Sequence, residues 1–178
     1  MLDLRELIAP YRTLVRETLK QFELENDCIS WSCYAFDCAP AHGRLGLNFD
    51  TTANSDSIVS QFEKNGPDWY GEDVAGRFNN NCADFAFCRY RDLHLYEDWV
   101  VPWEADAPFH YVDLEGSAVR IEQDQFGDEG FNSIIFPVLL RVRDLEIDWV
   151  RANSRKREPT SRFGVQMCDS KFEEFSLL

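Results

Sequence analysis

The sequence has no apolar run approaching the roughly 20 residues that a membrane-spanning helix needs, so a helical span is not expected. It is poor in bases. Eighteen Lys and Arg stand against 32 Asp and Glu, giving a formal net charge of -14. A field of that sign repels nucleic acid, so a general DNA or RNA binder is not expected either. Histidine is scarcer still: His42, His94 and His110 are the three, and none sits in a recognisable catalytic motif. No HExxH, P-loop, GxSxG or GxGxxG pattern occurs, so the chemistries those patterns serve have no sequence support. The opening Met1-Leu2-Asp3-Leu4-Arg5-Glu6 lacks a cationic stretch followed by an apolar one. No secretory signal is expected, and the expected compartment is the cytoplasm.

Six cysteines are present: Cys28, Cys33, Cys38, Cys82, Cys88 and Cys168. None forms the close C-x2-C pair of a zinc site. Without an export signal, a disulfide framework is not expected. The reading is small, buried, apolar thiols, all reduced, with no metal and no cofactor.

What the chain does contain is core-forming material. Of its 178 residues 44% are hydrophobic and 14% aromatic, including 14 Phe, 6 Tyr and 5 Trp. That suffices for a single domain over residues 1–178. Leu4, Leu7, Ile8, Tyr11, Leu14, Val15, Leu19 and Phe22 recur at helical spacing, with Arg5, Glu6, Arg12, Arg16, Glu17 and Lys20 on the other side. Pro10 either kinks this helix or starts it after a short first turn. Ile29 to Ala35 alternates as a half-buried strand, Ala39 to Gly43 turns, and Leu45, Leu47 and Phe49 mark the returning strand. Asn54 or Ser55 is expected to cap a helix carrying Ile58, Val59 and Phe62 inward, ended by Gly66-Pro67. A short helix is expected between Trp69 and Phe78. Asp84 to Arg91 reads as a central strand, with Phe85 and Phe87 on one face. His110 to Leu114 and Ala118 to Glu122 fit a hairpin about Glu115-Gly116-Ser117, or else the second half is helical. Ile134 to Val142 suits either a buried strand or a helical face. A strand to about Arg143, then a helix to Arg151, is expected, with Pro137 at a bulge or edge. The tail from Ser154 reads as a strand or packed extension. These elements give an α+β fold, with a mainly antiparallel sheet of four to six strands against the N-terminal helix and one or two others.

Acidic charge is concentrated. From Glu97 to Glu129 ten acids accompany one base, Arg120, with Trp99, Trp103, Phe109 and Tyr111 interspersed. Charge of one sign steers a partner of the other, and aromatics supply the anchors of an interface. The expected partner-binding residues are Glu97, Asp98, Trp99, Trp103, Glu104, Asp106, Tyr111, Asp113 and Glu115. The single basic run, Arg151 with Arg155, Lys156 and Arg157, reads as a helix end compensating the macrodipole. An enzyme using His94 or His110 with nearby carboxylates is the competing reading.

Tyr34-Ala35-Phe36, Leu47-Asn48-Phe49-Asp50-Thr51 and the segment from Tyr90 to Trp99 carry a resemblance over about the first hundred residues. In these and in its order of elements the chain resembles bacterial families of uncharacterised domains, some encoded beside toxin genes. As a small acidic α+β protein it is similar in type to the immunity proteins of contact-dependent inhibition and polymorphic toxin systems. That resemblance implies a cytoplasmic inhibitor that binds one cognate toxin domain, a basic nuclease, and performs no chemistry.

Overall fold

The structure is a computed structural model that describes residues 1–40, 43–65, 81–94, 108–122, 128–168 and 170–178. Its frame is a five-stranded sheet in the order β4-β3-β2-β7-β8, with a smaller sheet, β1-β5-β6, beside it. In chain order the elements are β1 (Leu2–Asp3), α1 (Ile8–Glu25), β2 (Trp31–Ala39), β3 (Arg44–Asp50), α2 (Thr52–Asn65), β4 (Phe87–His94), β5 (Phe109–Val112), β6 (Ala118–Ile121), α3 (Asp128–Asn153), β7 (Arg157–Met167) and β8 (Glu173–Leu177). The fold is α+β, as expected. Antiparallel pairing dominates, but β2 runs parallel to β7 and β1 parallel to β5.

A 3-10 turn over Leu4–Leu7, capped by Asp3, leads into α1. Pro10 therefore falls in the first turn of α1, where its missing N–H costs no helical hydrogen bond. Tyr11, Leu14, Val15, Leu19 and Phe22 bury the stripe read from the sequence. They meet one face of the sheet. Tyr34 lies in register with Phe49 on β3 and Phe163 on β7, and the three rings stack at 4.4 and 5.1 Å. Phe22 of α1 extends the stack onto Phe49 at 3.8 Å, and the Tyr34 hydroxyl donates to the Val15 carbonyl at 3.0 Å. Stacked pairs of this kind contribute roughly 0.5–1.5 kcal/mol each beyond area burial.

Four expectations are corrected. First, β2 is not half-buried but central and buried on both faces. An irregularity in its pairing with β7 between Trp31 and Cys33 places Trp31 beside Tyr34, against the alternation. Second, the strand expected over Asp84 to Arg91 begins at Phe87 and lies at the sheet edge. Cys82–Asp84 form a 3-10 turn, which puts Phe85 with Cys33, Ala35 and Cys82 while Phe87 packs edge-on against Phe22 on the other face. Third, Ile134 to Arg143 is not a strand: α3 runs unbroken from Asp128 to Asn153 with Pro137 inside it. Fourth, α2 is capped by Thr51, whose hydroxyl accepts from Asn54 N at 3.1 Å, and Asn54 and Ser55 bind Asp50 instead. The β5–β6 hairpin forms rather than the helical alternative; α2 is described to Asn65, and the Gly66-Pro67 expected to end it lies outside the described residues. The helix expected between Trp69 and Phe78 lies outside the described residues. The tail supplies β7, inserted beside β2, and the outer strand β8.

Candidate functional site

Tyr111, Asp113 and Glu115 are brought together on the β5–β6 hairpin, while Glu97, Asp98, Trp99, Trp103, Glu104 and Asp106 lie outside the described residues. The hairpin is short, and its turn is built by a side chain. Asp113 Oδ1 accepts from Glu115 N at 3.0 Å and Ser117 N at 2.7 Å, the local closure that makes aspartate a turn former. Gly116 follows at φ 89, a left-handed conformation that favours glycine. The Arg5 guanidinium lies against it, where an added Cβ would stand 2.9 Å from Nη1. Arg5 in turn is paired to Asp3 at 2.6 Å, so the turn rests on the start of the chain.

The three residues present themselves differently. Glu115 is exposed at the tip. Tyr111 is half-buried, its ring stacked on Phe109 at 5.8 Å, and Phe109 packs on Phe131 of α3. Burial, reinforced by the Asp113 charge, pushes the Tyr111 hydroxyl pKa up, so it is a neutral hydrogen-bonding group at physiological pH. His110 is exposed opposite Arg120, which pairs with Glu122 at 2.8 Å. A cross-strand arginine does not supply the carboxylate of an acid–base pair. His94 ends β4 at the sheet edge, opposite Arg44.

The far face of the five-stranded sheet carries a polar layer that the sequence reading passed over. Asp50 is buried and saturated: Oδ1 accepts from Asn54 Nδ2 at 2.8 Å and Ala86 N at 3.0 Å, and Oδ2 from Ser55 Oγ at 2.6 Å. Asn48 accepts from Arg89 N at 2.7 Å and donates to the Cys82 carbonyl at 3.3 Å. These bonds fill the break in β3–β4 pairing between Leu47 and Phe49, where Arg89 sits at φ 54. Burial raises the Asp37 carboxyl pKa against the pull of Arg44, whose Nη2 is 3.3 Å away. The signal was present: Asn48 and Asp50 alternate with Leu47 and Phe49, so they share the face opposite the aromatics.

The cysteine chemistry is quiet. Burial pushes the Cys33 thiol up to about 12, holds Cys38 and Cys82 well above the ordinary range, and raises Cys88. A nucleophilic or metal-binding thiol needs the opposite shift. All six cysteines are unbridged, with Cys33, Cys38 and Cys82 buried and Cys28 and Cys88 exposed. Among the described residues, no three His, Cys, Asp or Glu side chains are grouped to hold a metal ion. Among them, too, no helix is long and apolar enough to cross a membrane.

Two further carboxylates act as fasteners. Glu23 at the end of α1 accepts from Trp31 Nε1, Ser154 Oγ and the backbone N–H groups of Arg155 and Lys156, tying α1 to the α3–β7 turn. Of the basic run, only Arg151 lies in the last turn of α3; Arg155 and Lys156 follow the helix and serve through their backbones. Glu146 of α3 is wholly buried and takes both Arg12 and Arg16 from α1. Those arginines, expected on the solvent side, are about 38% and 39% exposed, and their guanidiniums point at α3.

Comparison with protein-family models, with curated proteins and with solved structures finds no match to this chain.

Proposed function

We propose that this protein is an immunity protein: a cytoplasmic inhibitor that binds a cognate bacterial toxin domain, a basic nuclease, and occludes its active site with an acidic surface. The observation that carries this reading is the charge asymmetry. The chain bears -14, and ten acids face a single base between Glu97 and Glu129. That base, Arg120, is itself paired with Glu122. The β5–β6 hairpin supports the reading by holding Glu115 forward on a turn locked by Asp113 and backed by the core. Long-range attraction acts chiefly on association, while desolvated aromatic anchors act chiefly on dissociation.

The test uses the toxin domain encoded beside this gene and binding kinetics at two ionic strengths. Reversal of Glu104→Lys with Asp106→Lys should slow association by about tenfold at low salt and flatten its salt dependence. Glu115→Lys should act in the same direction from the hairpin tip. A tight complex whose rates ignore salt and these substitutions places the interface elsewhere. No complex with any neighbouring toxin domain overturns the function.

A further inference from the structure

Arg12 and Arg16 lie one turn apart on α1 and converge on a single carboxylate. Arg12 Nε donates to Glu146 Oε1 at 2.5 Å; Arg16 donates from Nε to Oε2 at 2.6 Å and from Nη2 to Oε1 at 3.0 Å. Glu146 has no exposure, so its charge demands compensation, but one guanidinium in bidentate contact supplies that. The second arginine brings a like charge to the same spot at an electrostatic cost. Lys20, one turn further along, adds a third cation. Trp149 of α3 braces the group, with Arg16 5.1 Å and Lys20 5.6 Å from its ring centroid. Arg12 and Arg16 against Glu146 leave the clasp itself with one positive charge in excess, on a molecule of -14.

Donor supply is also in excess. Two guanidiniums carry about ten N–H donors between them, and the bonds to Glu146 use three. Glu6 and Glu17, which flank the pair along α1, hydrogen-bond to neither arginine. Both arginines line an open depression of about 260 Å³ together with Ala9 and Thr13. Ala9 keeps that depression open, and exposed Thr13 adds a hydroxyl.

We propose that this depression binds a phosphate group. The buried Glu146 fixes each arginine through its Nε and leaves three of the four terminal Nη nitrogens for a ligand. Two guanidinium forks and a hydroxyl suit the three terminal oxygens of a tetrahedral phosphate, whereas a planar carboxylate is satisfied by one fork. The positive charge that the clasp carries in excess of Glu146 favours an anion there.

The test is titration of the full chain with inorganic phosphate at constant ionic strength set by NaCl. Heat and the Nε–Hε resonances of Arg12 and Arg16 are the two readouts. Saturable binding at one site with both resonances moving is expected. Arg12→Gln should weaken it about tenfold, since Arg16 still satisfies Glu146 and the fold is retained. Thr13→Val touches no buried group and should weaken it about threefold, which decides the matter if Arg12→Gln fails to fold. Glycerol phosphate distinguishes an esterified phosphate from the free ion: tighter binding assigns the site to a phosphate monoester, equal or weaker binding to inorganic phosphate. Linear, unsaturable heats, equal binding of acetate, or phosphate affinity unchanged in Thr13→Val together with Arg12→Gln overturns the proposal.

Discussion

Single carboxylates do much of the joining in this fold, and Glu23 shows how. Burial opposes its ionisation, but the hydrogen bonds from Ser154, Arg155, Trp31 and Lys156 outweigh burial and hold its pKa below the usual glutamate value of 4.5. The folded chain therefore binds this proton less readily than the unfolded chain does. The stability it contributes is complete above the unfolded-state value and is lost as pH falls through the lower folded value. Glu23→Gln should cost about 1–2 kcal/mol at pH 7, because the amide keeps an acceptor but loses the charge. Urea unfolding across the acid range should show that gap narrowing as wild-type Glu23 becomes protonated. A gap constant with pH would mean that shape, not charge, makes the contact. None of this was legible in the sequence, where Glu23 stands among the solvent-side residues of an amphipathic helix. Three of its four partners, Ser154, Arg155 and Lys156, are 131 to 133 residues away, beyond the reach of any local pattern, and Trp31 lies eight residues on, at the start of β2.

At the scale of elements, periodicity succeeded where it was unambiguous and failed where two periods fitted. The stripe of α1 could be read directly, because local spacing fixes it, while Glu115-Gly116-Ser117 marked a turn but left the segment after it open to strand or helix. Ile134 to Val142 could not. Its continuous apolar run fitted a buried strand, with Pro137 at a bulge or edge, yet Phe131, Ile135, Val138, Leu139, Val142 and Val150 form the buried face of one helix. The proline survives because it is exposed. It removes one helical donor, leaving the Ser133 carbonyl on the solvent side without its usual partner. Pro137→Ala restores that bond and touches no core contact. It should stabilise the protein by about 2 kcal/mol, the helix penalty of proline less the entropy it removes from the unfolded chain. Thermal and urea unfolding check this. A loss of stability would show that proline's local geometry is needed to seat Val138 and Leu139.

For the molecule as a whole, the order of elements predicted the class of fold and composition the sign of the net charge, but neither told how charge is arranged on it. The polar layer of Asp37, Asn48 and Asp50 lies on the consecutive strands β2 and β3 and is closed by Cys82, Ala86 and Arg89, 34 to 41 residues further on, while the clasp of Arg12 and Arg16 on Glu146 joins helix positions 134 and 130 residues apart. Their local signals, a carboxylate on an apolar helix face and polar residues at alternate strand positions, read equally well as solvated surface. The net charge has a consequence of its own. At -14 the folded chain repels itself, and the ion pairs on the surface are too weakly coupled to offset that. Salt shortens the Debye length to about 10 Å at 0.1 M and relieves repulsion between distant carboxylates, while the buried Glu146 pairs are screened much less. Raising NaCl from low to moderate concentration at pH 7 should therefore raise the melting temperature by about 2–4 °C, the shift that roughly 1 kcal/mol produces in a chain of this size. The control is pH. Near 4.5, where the sequence charge balances, the same addition of NaCl should leave the melting temperature nearly unchanged. An equal rise at both pH values would assign the effect to water structure and surface exclusion. A fall at pH 7 would mean that attractive pairs, not the excess of acids, dominate the folded state's electrostatics.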